Sequence, residues 1–244
     1  MKKLTYYKFY FHPSEIEMGR KDGEFNNGKL YSALSEKEDA PEYLDNILFS
    51  PPNSNGYSAN MKLPKEDIVF YDFMVWDTAF QLDDFMESVE VNPIFGFFVS
   101  PKLKTILSEY NLSAHRFYPV NVHFKSNTHK YYFLLISHEE NSINYPKSTF
   151  LERYNKTQKV IINSYDELTE QQTDEENGQK FWVERDIDEQ IIVFDKEMDI
   201  YSVVTAADGF LYFSERLKKR LENDNVTGMK FYYEAEDPEF FLNT

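Results

Sequence analysis

Apolar residues in this chain fall into short runs rich in aromatic and β-branched side chains, a pattern typical of buried strands. Clear runs occupy residues 4–11 (LTYYKFYF), 68–76 (IVFYDFMVW) and 130–137 (KYYFLLIS). Residues 79–89 differ, because their apolar positions follow helical spacing. These positions are Phe80, Leu82, Phe85, Met86 and Val89. The pattern therefore predicts several strands and a helix over residues 79–89, with Asp83 and Asp84 on its solvated face.

One pattern occurs twice, at residues 97–120 and 211–234. A gapless alignment of the two segments pairs identical residues at seven of the 24 positions. The pairs include Ser100 with Ser214, Leu103 with Leu217, Leu107 with Leu221, and Asn111 with Asn225. Repetition at a constant offset indicates one supersecondary unit used twice. Each copy predicts an aromatic strand, a short helix and a second aromatic strand.

Simple chemistry explains the repeated residues. Ser100 and Ser214 are expected to be helix N-caps, since a serine hydroxyl accepts a hydrogen bond from a free amide of the first turn. Pro101 suits the first helical position, where a missing N–H costs nothing. Asn111 and Asn225 are expected to end the helices in the left-handed conformation.

These elements predict an α+β fold: a mixed, mostly antiparallel sheet with packed helices, containing two related strand–helix–strand units. We expect one domain over residues 1–244, with no recognised motif in residues 1–75 and both units in residues 76–244. Ser164 and Glu167 form a candidate capping box. Residues 171–179 (QQTDEENGQ) predict an acidic loop, and the Phe pair of the tail is expected to dock on the body.

Composition narrows the class of protein. Aromatic residues make up 17% of the 244 residues, which favours a folded, strand-rich protein over a disordered one. There is no cysteine, so a disulfide framework is excluded and a reducing cytoplasm is the expected compartment. No apolar run approaches the roughly 18 residues of a membrane helix. We therefore expect a soluble, cytoplasmic protein.

Charge is strongly negative and unevenly distributed. The formal net charge is −16, and residues 164–199 hold thirteen acidic and three basic residues, a net −10. This balance argues against direct nucleic-acid binding and favours a basic protein partner. The predicted partner-binding residues are Asp174, Glu175, Glu176, Trp182, Glu184, Asp186, Asp188 and Glu189. The alternatives are a merely solvated acidic surface or a Ca²⁺ site, although the EF-hand spacing is absent.

Catalytic motifs are absent from the sequence, which has no P-loop, GxGxxG, GxSxG or HExxH pattern. His123 and His129 could approach each other across a hairpin, but a metal site with Glu139 or Glu140 would need a third ligand in register. Asp83 and Asp84 are adjacent, so on a helix they would diverge by about 100° and would not share one site. We predict no catalytic residue, no metal and no cofactor.

Four segments resemble family eleven of the immunity proteins of bacterial polymorphic toxin systems, once catalogued as a domain of unknown function. They are FFVSPKLKTIL (97–107), KYYFLLIS (130–137), INYPKSTF (143–150) and LYFSERLKKRLENDNVTGMKF (211–231). The resemblance covers residues 76–233. It implies a cytoplasmic, non-enzymatic protein that binds a cognate toxin domain and neutralises it. The alternatives are a hydrolase with a divergent Asp/Glu/His site and an acidic regulatory scaffold.

Overall fold

The computed structural model describes residues 1–11, 30–32, 63, 72–75, 81–86, 96–137, 142–152, 155–169, 172–176, 179–183, 187–202, 211–233 and 237–244. Seventeen strands occur in this part of the chain. They are β1 (Lys2–Leu4), β2 (Tyr6–Phe11), β3 (Leu30–Ser32), β4 (Phe73–Val75), β5 (Phe85–Met86), β6 (Gly96–Val99), β7 (His115–Phe124), β8 (Asn127–Ile136), β9 (Thr149–Glu152), β10 (Asn155–Val160), β11 (Gln172–Glu176), β12 (Gln179–Val183), β13 (Ile187–Phe194), β14 (Ile200–Ser202), β15 (Leu211–Ser214), β16 (Met229–Tyr232) and β17 (Glu239–Leu242). The helices are α1 (Pro101–Leu107), α2 (Tyr165–Thr169) and α3 (Glu215–Asn223), with a 3₁₀ turn at Tyr145–Lys147.

The strands form four sheets, whereas the sequence predicted one. A six-stranded sheet has the order β3–β4–β7–β8–β6–β5, and a five-stranded sheet has the order β1–β17–β13–β9–β10. A four-stranded sheet has the order β14–β15–β2–β16, and the remaining sheet of the described residues pairs β11 with β12. Pairing in the described residues is antiparallel except between β4 and β7 and between β13 and β17. The predicted α+β class with mostly antiparallel sheets is confirmed.

Both repeated segments fold as strand, helix and strand. β6, α1 and β7 form the first unit, and β15, α3 and β16 form the second. In each unit the two strands lie on either side of a third strand, to which both are antiparallel. That central strand is β8 in the first unit and β2 in the second. The N-terminal strand β2 therefore completes the second unit.

The predicted helix starts are confirmed. The Ser100 side chain accepts a hydrogen bond from Leu103 N at 3.1 Å, and Ser214 accepts one from Leu217 N at 3.3 Å. Helix ends differ between the copies. Asn225 has the predicted positive φ of 50°, whereas Asn111 is not among the residues with positive φ. Asn111 is instead held by hydrogen bonds to another segment, which are described below.

The helix predicted over residues 79–89 is wrong for its described part. Residues 81–84 are not helical, and Phe85–Met86 form β5 at the edge of the six-stranded sheet. Phe85 is buried, with its ring 5.0 Å from that of Phe9 and 5.3 Å from that of Phe97. The aromatic core thus draws this segment into the sheet and overrides a weak helical spacing.

A shared apolar core joins the two units. It contains Phe9, Phe97 and Phe213 from the sheets, together with Leu103 of α1 and Leu217 of α3, each at most 4% exposed. A second core lies between the four-stranded and five-stranded sheets and includes Phe240 of β17. The expected docking of the C-terminal Phe pair is confirmed for Phe240, which is 3% exposed. Among the described residues, no helix is long and apolar enough to cross a membrane.

Candidate functional site

The predicted acidic surface lies largely on a β-hairpin. Asp174, Glu175 and Glu176 belong to β11, and Trp182 belongs to β12 opposite Thr173. The predicted loop over residues 171–179 is wrong, because residues 172–176 pair with residues 179–183 in regular antiparallel register. Within the described residues, the hairpin forms a two-stranded sheet of its own. Three consecutive acidic positions and a tryptophan therefore belong to one small element, which we call the acidic hairpin.

The remaining predicted residues are divided between two places. Glu184 and Asp186 lie outside the described residues. Asp188 is half-buried on β13, and Glu189, on the same strand, is only 7% exposed. Glu189 accepts a hydrogen bond from the Tyr201 hydroxyl at 2.9 Å, and burial, followed by the Glu189 charge, raises the pKa of Tyr201 well above its usual value. The structure gives Glu189 a structural contact inside the fold.

Asp84 has a structural role at the start of α1. The Ser100 hydroxyl donates to its Oδ1 at 2.5 Å, while Lys102 Nζ and Thr227 N each donate to its Oδ2 at 3.2 Å. Asp84 N in turn donates to Thr227 Oγ1 at 3.0 Å. The adjacent Asp83 is only 7% exposed. The predicted solvated helix face for this pair is therefore wrong, and Asp84 ties the first helix to the loop after the second.

Asp199 has the matching role at the start of α3. The Ser214 hydroxyl donates to its Oδ1 at 2.6 Å, and Arg216 binds both carboxylate oxygens through Nε and Nη2 at 2.6 Å each. Asn111 N donates to Asp199 Oδ2 at 2.8 Å, and Asp199 N donates back to Asn111 O at 2.7 Å. Asp199 is 0% exposed. Asp199 thus ties the second helix to the loop after the first.

These two carboxylates occupy corresponding places. Each immediately precedes an edge strand, each receives a hydrogen bond from the capping serine of a helix, and each binds the cation two residues after that serine. The sequence spacing of these carboxylates relative to the capping serines is nearly the same in the two segments. Ser100 and Ser214 differ by 114 positions, whereas Asp84 and Asp199 differ by 115. A gapless alignment that begins after Asp84 cannot reveal this pair, because a one-residue gap is needed.

The predicted approach of His123 to His129 does not occur. His123 lies opposite Thr128 on the β7–β8 hairpin, and His129 lies opposite Val122, so the two rings project from opposite faces of the hairpin. His123 Nε2 is 2.8 Å from Asp72 Oδ2, and its Nδ1 is 3.0 Å from Thr128 Oγ1. Glu139 and Glu140 lie outside the described residues. Among those that the structure does describe, no group of three or more His, Asp or Glu residues is arranged to hold a metal ion.

Partial burial acts to raise the pKa of Asp72, but hydrogen bonds from Asn121 and His123 outweigh it and hold that pKa below its usual value of 3.8. The carboxylate is therefore charged over the physiological range. It can orient the His123 ring so that the other ring nitrogen faces the Thr128 hydroxyl. Hydroxyl, imidazole and carboxylate thus stand in series on a half-exposed surface.

An apolar groove of about 470 Å³ lies on the other face of this hairpin. Its lining residues are Gln81, Leu82, Pro101, Phe124, His129, Lys130 and Tyr131. His129 Nε2 is buried there, and no group of the described residues forms a hydrogen bond with it. The Tyr131 hydroxyl donates to Asp83 O at 2.8 Å, and burial raises the Tyr131 pKa above its usual value of 10.0. The groove therefore combines the apolar side chains of Leu82, Pro101 and Phe124 with polar groups at its wall.

Comparison with known proteins found no relative with which these features can be compared. No protein-family model matches the chain, and no curated protein matches it.

Proposed function

We propose that this chain is an immunity protein that binds and neutralises a cognate toxin domain, and that it acts in the bacterial cytoplasm without catalysing a reaction. The four segments that resemble immunity family eleven support this proposal. The observation that carries it is the acidic hairpin, which joins Asp174, Glu175 and Glu176 to Trp182 on one element. Carboxylates attract a basic surface, and tryptophan is frequent among the residues that dominate interface energies.

The two strand–helix–strand units are, on this proposal, copies of one supersecondary unit within a single domain. The corresponding positions of Asp84 and Asp199 support this relation, as do the matching capping serines. Their hydrogen bonds cross from one unit to the other in both directions. The two units therefore provide a rigid scaffold, and the chain between them contributes the acidic hairpin.

Co-expression tests the function directly. The probe is the C-terminal toxin domain of the secreted protein encoded by the neighbouring gene. Survival of the host and co-purification of a stable complex are the expected results. Unprotected cells and no complex, with active toxin and folded chain, would overturn the proposal.

A charge-matched pair of variants tests the hairpin. Asp174→Asn/Glu175→Gln/Glu176→Gln should weaken toxin binding at low salt, and the loss should shrink as salt rises, because at about 0.1 M ionic strength exposed charges more than about 10 Å apart are largely screened from each other. The control removes three exposed charges elsewhere, at Glu109, Glu215 and Glu222. Equal weakening by both triple variants would show that total charge, and not the hairpin, governs association.

One observation favours hydrolysis as a second candidate function. Thr128, His123 and Asp72 are hydrogen-bonded in series, the order in which a hydroxyl nucleophile, a base and an orienting carboxylate act. An activated aryl ester is the simplest probe. Hydrolysis that disappears in both Thr128→Ala and His123→Ala, with unchanged stability, would favour this function. Equal background hydrolysis by wild type and variants would remove it.

A further inference from the structure

The outer edge of the four-stranded sheet carries an exposed tyrosine cluster. Within the part of the chain that the structure describes, β16 is the last strand of this sheet and pairs only with β2. Tyr232 on β16 is 38% exposed, and Tyr233, immediately after it, is 69% exposed. An edge strand presents unpaired backbone N–H and C=O groups, so this edge can accept a further strand.

Neighbouring rings hold the two exposed tyrosines in place. The ring of Tyr232 meets that of Tyr10 edge to face, with centroids 5.1 Å apart. The ring of Tyr233 lies 6.5 Å from that of Tyr7, again edge to face. Aromatic side chains fixed in this way lose little conformational entropy on binding, which is one reason why tyrosine is frequent at interface hot spots.

One exposed lysine lies at this edge, in a chain whose net charge is negative. Lys230 is exposed, and its Nζ lies 5.1 Å from the centroid of the Tyr232 ring. No ion pair involves Lys230 among the described residues, whereas the nearby Lys218 pairs with Glu222 at 2.7 Å. The chain carries a net charge of −16. A carboxylate on a partner would therefore find an available cation at Lys230 in a protein that otherwise repels it.

The first unit has a further strand on this side, and that strand pairs with residues that lie beyond those aligned with β16. Its last strand, β7, corresponds in order to β16. On its outer edge β7 pairs in parallel with β4, through Val122 and His123. The outer edge of β16 has no such neighbour among the described residues.

We propose that the β16 edge binds an extended segment of the cognate toxin domain, which adds to the sheet as a strand and places a carboxylate beside Lys230. The tyrosines at 232 and 233 pack on the side chains of this segment. Strand addition supplies affinity through main-chain hydrogen bonds and specificity through alternate side chains. This inference rests on the proposed function, since the partner is the toxin domain.

The test uses the full chain and a catalytically inactivated toxin domain. Amide hydrogen exchange is measured at residues 229–233 with and without toxin, and dissociation constants are measured for variants. Tyr232→Ala and Lys230→Glu should each weaken binding by about tenfold or more. The matched controls are Ile161→Ala, which removes a side chain that is 81% exposed, and Lys156→Glu, which reverses an exposed charge on β10. Both controls should stay within about twofold of wild type.

The outcomes separate this inference from the proposed function. Slower exchange at β16 together with selective weakening by the two β16 variants supports the inference. A wild-type complex without protection at β16, and with normal binding by Lys230→Glu, overturns the inference and leaves the immunity function standing. No wild-type complex at all overturns both. Because Lys230 is exposed, Lys230→Glu keeps the test valid even if Tyr232→Ala fails to fold.

Discussion

The buried carboxylate of Asp199 should be among the most sensitive positions for stability. In Asp199→Asn, an amide N–H₂ replaces one carboxylate oxygen and faces donors, because Arg216 Nη2 and Asn111 N both bind Oδ2. Breaking a buried ion pair costs about 3–5 kcal/mol, and a buried unsatisfied donor costs about 1–3 kcal/mol. Half of the Arg216 side chain is exposed, so water can solvate the freed guanidinium. We therefore expect a loss of about 3 kcal/mol.

Two comparisons make this prediction specific. Asp84→Asn should cost only about 1–2 kcal/mol, because the Asp84 side chain is 14% exposed and its cation, Lys102, has a side chain that is 45% exposed. Asp224→Asn breaks an exposed ion pair with Arg220 and should cost no more than about 0.5 kcal/mol. All three values come from urea unfolding followed by circular dichroism. A thermal scan of Asp199→Asn should show a midpoint lower by about 6–12 °C.

The order of the three effects is the decisive result. If the measured loss of unfolding free energy in Asp199→Asn is below about 1 kcal/mol, or no larger than the loss in Asp224→Asn, then the carboxylate does not stabilise the contact between the two units. A loss in Asp84→Asn that exceeds the loss in Asp199→Asn would also refute the reasoning, since the burial of the two groups predicts the reverse.

Three further predictions follow from other buried groups. Gly228→Ala should lower the unfolding free energy by about 2 kcal/mol or more, because φ is +83° and an added Cβ would lie 2.2 Å from Phe85 O. Wild-type stability of this variant in urea would contradict the prediction. Glu189→Gln should lower the unfolding free energy by about 1 kcal/mol, because it weakens the hydrogen bond that residue 189 accepts from the Tyr201 hydroxyl. The affinity for the toxin domain, measured by titration, should stay unchanged. Burial raises the pKa of Tyr131 and of Tyr201 above 10.0, so their contribution to stability is complete below pH 10.0 and is lost as the pH rises toward the folded pKa. Phenolate absorbance should therefore show these tyrosines titrating only with unfolding, and titration near the usual pKa in the folded protein would disprove their burial.

Local signals predicted local structure well. The serine caps at Ser100 and Ser214 followed from side-chain chemistry within four residues, and the structure confirms both. The β7–β8 hairpin followed from two apolar runs close in sequence. In each case the interactions that decide the conformation lie within a short stretch of chain. The periodicity of apolar residues therefore predicts the conformation of such stretches directly.

Long-range interactions explain what the sequence did not predict. The helical spacing over residues 79–89 failed because the ring of Phe85 packs against Phe9, 76 positions earlier in the chain. The acidic loop predicted at residues 171–179 is a separate case, because residues 172–176 pair locally with residues 179–183 and the polar composition did not indicate this hairpin. The roles of the residues in the candidate site were harder to predict than the secondary structure. Asp199 acquires its role from Asn111 and Arg216, which come together only in the folded chain.

The two proposed binding surfaces differ in how they are connected to the shared core of the two units. The acidic hairpin forms its own sheet, so changes to its carboxylates should leave the shared core of the two units intact. The β16 edge belongs to the second unit itself, and Phe231 on that strand packs against Phe9 and Phe213 in the core. A partner strand added there would extend the same sheet that Asp199 ties to the first unit through the edge of β14. Toxin binding at β16 should therefore raise the unfolding midpoint of the whole two-unit core by mass action, whereas binding at the hairpin alone would do so only as far as the hairpin unfolds together with that core.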